Sequence, residues 1–190
     1  MKKVALGFAF ILSAFSSFAQ LDVSVNPISI LFSNFDVALE YRMNEDFGIE
    51  LTPSIDFDKY SVSDVEYKNT GFGARLIGKY YFNPKKGCDK WNIGPYVKFG
   101  QADGKGTDKA NNTSYEVSRT RFAVGFYSGY KWVSAKNIVF EMGFGIGRLF
   151  VNKYKSDDGT LNLDNFPILN IDLTGKIAIG YRFGGNKENQ

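Results

Sequence analysis

The sequence predicts an all-β fold: an eight-stranded antiparallel up-and-down transmembrane β-barrel preceded by a cleaved signal peptide. Three observations point there. First, segments of apolar/polar alternation recur along the chain. The longest, Leu169 to Phe183, sets Leu169, Ile171, Leu173, Ile177, Ile179, Tyr181 and Phe183 against Asn170, Asp172, Thr174, Lys176 and Arg182. Such a run gives a strand one dry and one wet face, and it is longer than most soluble strands. Second, the polar connections between these segments alternate between short and long. Third, aromatic residues make up 16% of the chain, with 18 Phe and 11 Tyr, and aromatics form the girdles of bilayer-spanning barrels. The mean hydropathy of -0.22 does not oppose this reading, because lipid-facing and inward residues alternate and cancel in any averaging window.

The elements follow in order. Lys2 and Lys3 precede an apolar run from Val4 to Phe15, and Ser17-Phe18-Ala19 offers small residues to a signal peptidase, so residues 1–19 read as a signal peptide cleaved before Gln20. The apolar run is short of the roughly 20 residues a membrane helix needs. The barrel is assigned to residues 20–183 and a short polar tail to 184–190. Removing Lys2 and Lys3 from the 23 basic residues leaves 21 against 20 acidic ones, a balance of +1. No basic stripe remains of the kind a nucleic-acid surface requires.

Even strand parity in bacterial single-chain barrels calls for a first strand within Leu21 to Phe32. There Val23 and Val25 give way to Ile28, Ile30 and Phe32 across Pro27, which suggests a bulge and a tight turn near Ser33-Asn34. Phe35, Val37, Leu39, Tyr41 and Met43 form the next apolar face; a short Asn44-Glu45-Asp46 turn leads to Phe47, Ile49, Leu51, Pro53, Ile55 and Phe57, a hairpin pattern. A polar loop, Asp58 to Asn69, precedes Phe72, Ala74, Leu76, Tyr80 and Phe82; the Asn83 to Lys90 turn then leads to Trp91, Ile93, Pro95, Val97 and Phe99. After a long loop, Gln101 to Ser114, come Phe122, Val124, Phe126, Tyr130 and Trp132, a short turn, and Ile138, Phe140, Met142, Phe144 and Ile146. A last long loop, Asn152 to Phe166, precedes the terminal strand. Pro53 and Pro95 each have to forfeit a ladder hydrogen bond or sit at a bulge. The single Cys88 falls in a lysine-bearing turn and reads as an incidental exposed thiol.

The apolar face could look out to lipid or, in a soluble lipocalin-like carrier, in to a ligand. Aromatics at both ends of that face favour lipid. So does the opposite face, which holds Gly71, Gly73, Gly94, Gly125, Gly129, Gly143, Gly145 and Gly147, as a narrow interior requires. The same face carries charges of both signs, including Asp56, Lys79, Lys131 and Arg182, that could pair across a lumen but not in lipid. Glu40, Glu50, Arg75, Arg121, Glu141, Asp172 and Lys176 are expected to form an inward charge network that plugs the barrel. The alternative is a narrow ion-conducting path along the same residues; eight strands leave no aqueous channel, which favours the plug.

The signal ending Ser17-Phe18-Ala19-Gln20, the early Asn26-Pro27-Ile28-Ser29-Ile30-Leu31-Phe32 and the C-terminal Lys176-Ile177-Ala178-Ile179-Gly180-Tyr181-Arg182-Phe183 carry a resemblance. The chain resembles the small outer-membrane β-barrel proteins, OmpX-like and OmpA-barrel-like, including barrel families of unassigned role. The resemblance implies residence in the outer membrane and contact with its lipid bilayer. It also implies an insertion signal for the barrel-assembly machinery in Lys176, Ala178, Tyr181 and Phe183, with Ala178 standing where glycine is commoner.

Catalysis is not expected. The chain has no histidine, and outer-membrane barrel enzymes of the phospholipase, deacylase, palmitoyltransferase and omptin types resemble one another in relying on one. A His or Cys metal centre is excluded for the same reason. Gly143-Phe144-Gly145-Ile146-Gly147-Arg148 lacks the last glycine of a dinucleotide fingerprint and lies in a strand. Asp157, Asp158, Asn162 and Asp164 match no EF-hand spacing. The expected role is therefore non-catalytic, without cofactor, and carried by the three long loops.

Overall fold

The computed structural model describes residues 20–62, 65–108, 113–156, 159–162 and 170–184. The expected signal peptide and the polar tail beyond Gly184 lie outside them, as do Leu169 and the loop acids Asp157, Asp158 and Asp164. Among the described residues, nine strands and one short helix follow in chain order: β1 (Leu21–Val25), α1 (Pro27–Leu31), β2 (Asn34–Arg42), β3 (Phe47–Val62), β4 (Val65–Tyr81), β5 (Lys90–Asp108), β6 (Thr113–Val133), β7 (Ile138–Ser156), β8 (Gly159–Asn162) and β9 (Ile171–Phe183). All pairings are antiparallel. Each of β1 to β7 pairs with its sequence neighbours, and β9 closes the ring by pairing with both β7 and β1. Eight strands therefore make the wall, and the four-residue β8 only lengthens the far end of β7.

The alternation behaves as its period dictates. Leu51, Ile55, Phe72, Leu76, Val97, Phe126, Phe144 and Leu173 are exposed on the outside, while Glu50, Lys79, Lys131, Glu141 and Lys176 are buried in the lumen. The apolar face looks outward, so the strands do not build a lipocalin-like apolar cavity. Aromatic contacts cluster on that outer face at the short-turn end, where Trp91, Tyr130, Trp132 and Phe140 form a continuous series and Tyr181 meets Phe183 edge-on at 4.9 Å.

Two expectations about element ends are corrected. The first strand stops at Val25 instead of running to Phe32. Pro27 presets a helical φ at the first helical position and has no N–H to lose there, so the chain turns into α1. Asn26 Oδ1 then accepts the Ile177 N–H, a β9 donor beyond the last β1 pair, Val25↔Ile179. The expected long loops are the second correction. Most of Asp58 to Asn69 and of Gln101 to Ser114 is strand, since β3 continues to Val62, β4 begins at Val65, β5 runs to Asp108 and β6 begins at Thr113. Likewise Asn152 to Ser156 belongs to β7. Beyond the apolar band both faces of a hairpin can be polar while the backbone ladder continues, so alternation fades although pairing does not.

The two prolines act locally. Opposite Pro53 the β2/β3 ladder is interrupted between Asp36↔Ser54 and Leu39↔Leu51, and opposite Pro95 the β4/β5 ladder is interrupted between Ile77↔Tyr96 and Tyr80↔Ile93, with the register unchanged on both sides. Each keeps the ladder on its other side. At the second gap the backbones crowd together: a Cβ on Gly94 would lie 1.6 Å from the Gly78 carbonyl oxygen.

Candidate functional site: a buried charge network in the lumen

Register brings the luminal charges into apposition. Asp22 lies opposite both Glu40 and Arg182, Glu40 opposite Glu50, and Lys131 opposite Glu141. Facing glutamates on adjacent strands repel unless a cation separates them. Lys79 supplies it from β4. Its Nζ donates to Glu40 Oε2 at 2.8 Å, Glu50 Oε2 at 2.5 Å and Glu141 Oε1 at 2.6 Å, so the three ammonium protons meet carboxylates from three strands. Those three carboxylates lie close enough together to hold a metal ion, and the Lys79 ammonium occupies that position.

Further cations complete the pairing. Lys176 Nζ bonds Glu50 at 2.5 Å and Glu141 at 2.8 Å; Lys131 Nζ reaches Asp22 at 2.9 Å and Glu40 at 2.7 Å. Arg182 clamps Asp22 through Nε at 2.7 Å and a terminal nitrogen at 2.8 Å, the bidentate geometry that suits guanidinium and carboxylate. Four acids and four bases thus neutralise one another, and none is more than 4% exposed. Tyr81 and Tyr127 add hydroxyl donors to Glu40 at 2.6 Å and Glu141 at 3.1 Å. Taking so many charges out of water is tolerable only when each is paired and hydrogen-bonded.

The network is capped from below by the β4/β5 turn. Arg182 donates to the carbonyls of Lys86, Gly87 and Cys88 at 2.9, 2.9 and 3.1 Å. Cys88 is therefore buried, not exposed as its lysine-bearing surroundings suggested. Burial, reinforced by the nearby Glu40 carboxylate, pushes its thiol up to about 12. The left-handed conformations of Gly87 and Cys88, with φ of 70° and 44°, fold the turn under the barrel mouth.

Of the seven residues expected in the network, Glu40, Glu50, Glu141 and Lys176 stand at its centre. Arg75 reaches only its margin, 4.0 Å from Glu50, and donates to Thr174. Asp172 is held apart, accepting from Tyr96 at 2.8 Å and Lys98 at 2.9 Å. Arg121 does not join at all. It lines a separate cavity of about 310 Å³ above the network, because Arg121 pairs across β5 with Gly100, well up the strand from the level of Glu141. Asp22 is the member that sequence reasoning missed, and Lys79, Lys131 and Arg182 were placed on the inner face without being assigned to the network. Lys79, Lys131 and Arg182 have the required parity, but which carboxylate each meets depends on the closed ring. Of the assembly-signal residues, Tyr181 and Phe183 face outward, whereas Ala178 and Lys176 face the lumen.

Residues 4–164 of the chain match the family described as Protein of unknown function (DUF3575). No curated protein matches by sequence. Among solved structures, a major outer membrane protein from Thermus thermophilus aligns with a TM-score of 0.57 at 13% identity, over 87% of this chain and 98% of that one. Ail, the attachment invasion locus protein of Yersinia pestis, aligns with a TM-score of 0.56 at 13% identity, over 88% and 100%. Acinetobacter baumannii CarO aligns at 0.50 and 11% identity, over 87% and 96%. The likeness at such identities is one of fold, an eight-stranded antiparallel ring of the outer-membrane type.

Proposed function

The chain belongs to the DUF3575 family, whose role is unassigned, and we propose that it is a non-catalytic outer-membrane barrel with a closed lumen, acting through its long hairpins. The observation that carries this reading is the division of the wall into an exposed apolar outside and a stopped interior. The outward residues form an apolar surface far larger than a water-soluble monomer sustains, and lipid is the solvent in which that surface costs nothing. Inside, the neutralised cluster around Lys79, whose members are at most 4% exposed, supports a plug over a conducting path. In this reading residues 1–19 direct export and are removed, residues 20–183 form the barrel, and Lys176, Ala178, Tyr181 and Phe183 present the assembly signal to the barrel-assembly machinery. The β3/β4, β5/β6 and β7/β8 hairpins then project from the surface, where a partner would meet them.

Gel mobility of outer-membrane fractions and planar-bilayer recording test it together. The expected result is a membrane-bound band that runs faster unheated than heated, from a protein that gives no ion conductance. Recovery in the soluble periplasm would overturn the barrel reading, and steady conductance lost on blocking the hairpins would replace the plug with a pore.

A further inference from the structure

One stretch of the wall lacks a strand pairing among the described residues. β1 has five residues, and its last pairs are Val25 with Val37 and with Ile179. Above that level β9 continues for eight more residues, Ile171 to Ala178, with no strand on its β1 side among the described residues. α1 stands in the vacancy, packed against β2 and β9. A Cβ placed on Gly175, on the outer face of β9, meets no atom within 4 Å, so α1 does not cover that position.

Two hollows meet at this seam. The luminal cavity of about 310 Å³ is lined by luminal residues and also by Phe32, Leu173 and Gly175, which belong to the seam. On the outer face an apolar groove of about 630 Å³ runs from Ile28 and Phe32 past Ile177, Phe144 and Met142 to Tyr130, Trp132 and Trp91. Ser29, Phe32 and Gly175 line both. The groove is therefore apolar along its length and ends at a polar chamber.

The chamber favours an anion. Its acids are engaged: Asp172 by Lys98 and Tyr96, Asp56 by Arg119 at 3.9 Å and by Asn34, and Asp36 by Ser29 at 2.6 Å. Among the described residues Arg121 has no carboxylate partner. The Nε atoms of Arg121 and Arg75 are both buried without a hydrogen-bond acceptor, and Arg75 is more than nine-tenths buried. Buried guanidinium donors left open are costly and mark a place where an acceptor belongs.

We propose that the seam between α1 and β9 is a lateral port: an amphiphile from the bilayer seats its anionic headgroup against Arg121 and Arg75 and leaves its apolar chain in the groove across β9, β7 and β6. The port rests on the outer-membrane reading above, since only a bilayer presents such a ligand from the side.

Trp91 and Trp132 are the two tryptophans of the chain, and both line the groove, so their fluorescence reports its occupancy. The full barrel is placed in zwitterionic lipid nanodiscs and titrated at low mole fraction with an alkyl phosphate brominated along its chain. Saturable quenching is expected, with half-saturation weakened about tenfold in Arg121→Gln, the loss of one charge-assisted hydrogen bond, and removed in Gly175→Leu, whose side chain fills the junction. The neutral brominated alcohol of equal length should give only linear, unsaturable quenching. Equal saturation by the alcohol, or titrations unchanged in both variants, would overturn the port. Displacement of the probe by inorganic phosphate would assign the chamber to a free anion and also overturn it. Each variant is first checked for its heat-dependent gel shift in the membrane fraction. Loss of that shift by the unsubstituted protein would count against the barrel itself, whereas failed saturation in a shifted, inserted barrel counts against the port alone.

Discussion

Lys79 and Cys88 show how the closed ring changes what a single side chain does. Lys79 neutralises carboxylates from β2, β3 and β7 at once. Replacing it with Met leaves four buried acids against three bases in the lumen, and breaking a buried pair of this kind costs about 3–5 kcal/mol. Equilibrium unfolding in denaturant, read by heat-dependent gel mobility, should show that loss for Lys79→Met. Lys105→Ala is the control. Lys105 lies on the β5/β6 hairpin, 3.7 Å from Glu116, with both side chains more than half exposed, so its removal should change stability by less than about 1 kcal/mol. Cys88 makes a different prediction. With its thiol raised to about 12 by burial and by Glu40, it stays protonated at pH 8 and should resist maleimide for hours in the folded barrel. In the unfolded chain the ordinary thiol value of about 8.5 returns, and labelling should be complete within minutes; fast labelling of the folded form would contradict the turn's position under the barrel.

Strands and turns carry their own tests. The ladder gaps opposite Pro53 and Pro95 confine the cost of each proline to one ladder. Gly94, beside the second gap, has no room for a side chain because its Cβ would overlap the Gly78 carbonyl. Gly94→Ala should therefore reduce the fraction of chains that reach the fast-migrating form, while Gly175→Ala, which adds a methyl to open space, should leave it unchanged. The long hairpins are separable from the wall. β5 and β6 pair out to Asp108↔Thr113, far beyond the level of the Lys79 cluster, so replacing residues 106–115 with a two-residue turn closed by the Lys105↔Glu116 pair should preserve the heat-dependent shift. Loss of the shift would mean that the hairpin is needed for closure.

For the molecule as a whole the decisive property is the solvent of its outer face. Leu51 lies midway between Phe47 and Phe57 on β3 and is exposed; Met43 lies at the short-turn edge. In a bilayer, Leu51→Arg should cost about 2–4 kcal/mol and Met43→Arg about 0–1 kcal/mol, since the penalty for a basic residue falls from the midplane to the interface. Equal and small costs at the two positions would remove lipid from the outer face. The comparison needs only unfolding titrations in the same lipid.

Much of this architecture was legible in the linear chain, because the period of a strand is local. Alternation from Phe35 to Met43, or from Ile171 to Phe183, declares two faces without reference to any partner, and glycine with mixed charge on one of them declares which face is inside. The extended hairpins were not legible, since Asp103 to Lys105 has the polar composition of a loop and is strand only because β4 and β6 are already beside it. Nor was the end of β1. Pro27 signals a break, but whether a bulge or a helical turn follows depends on β9, whose Ile177 N–H takes Asn26 as its acceptor.

The charge network divides along the same line. That Glu50, Lys79, Glu141 and Lys176 all face inward was determined by sequence alone, through residue parity. Which of them meet was decided by the ring, which brings Lys176 to Glu50 across 126 positions of chain and leaves Arg121 in the separate chamber above. The physical reason is range. Backbone pleat and apolar burial act between neighbours along the chain, whereas an ion pair is chosen by distance through space, and that distance exists only once β9 has closed on β1.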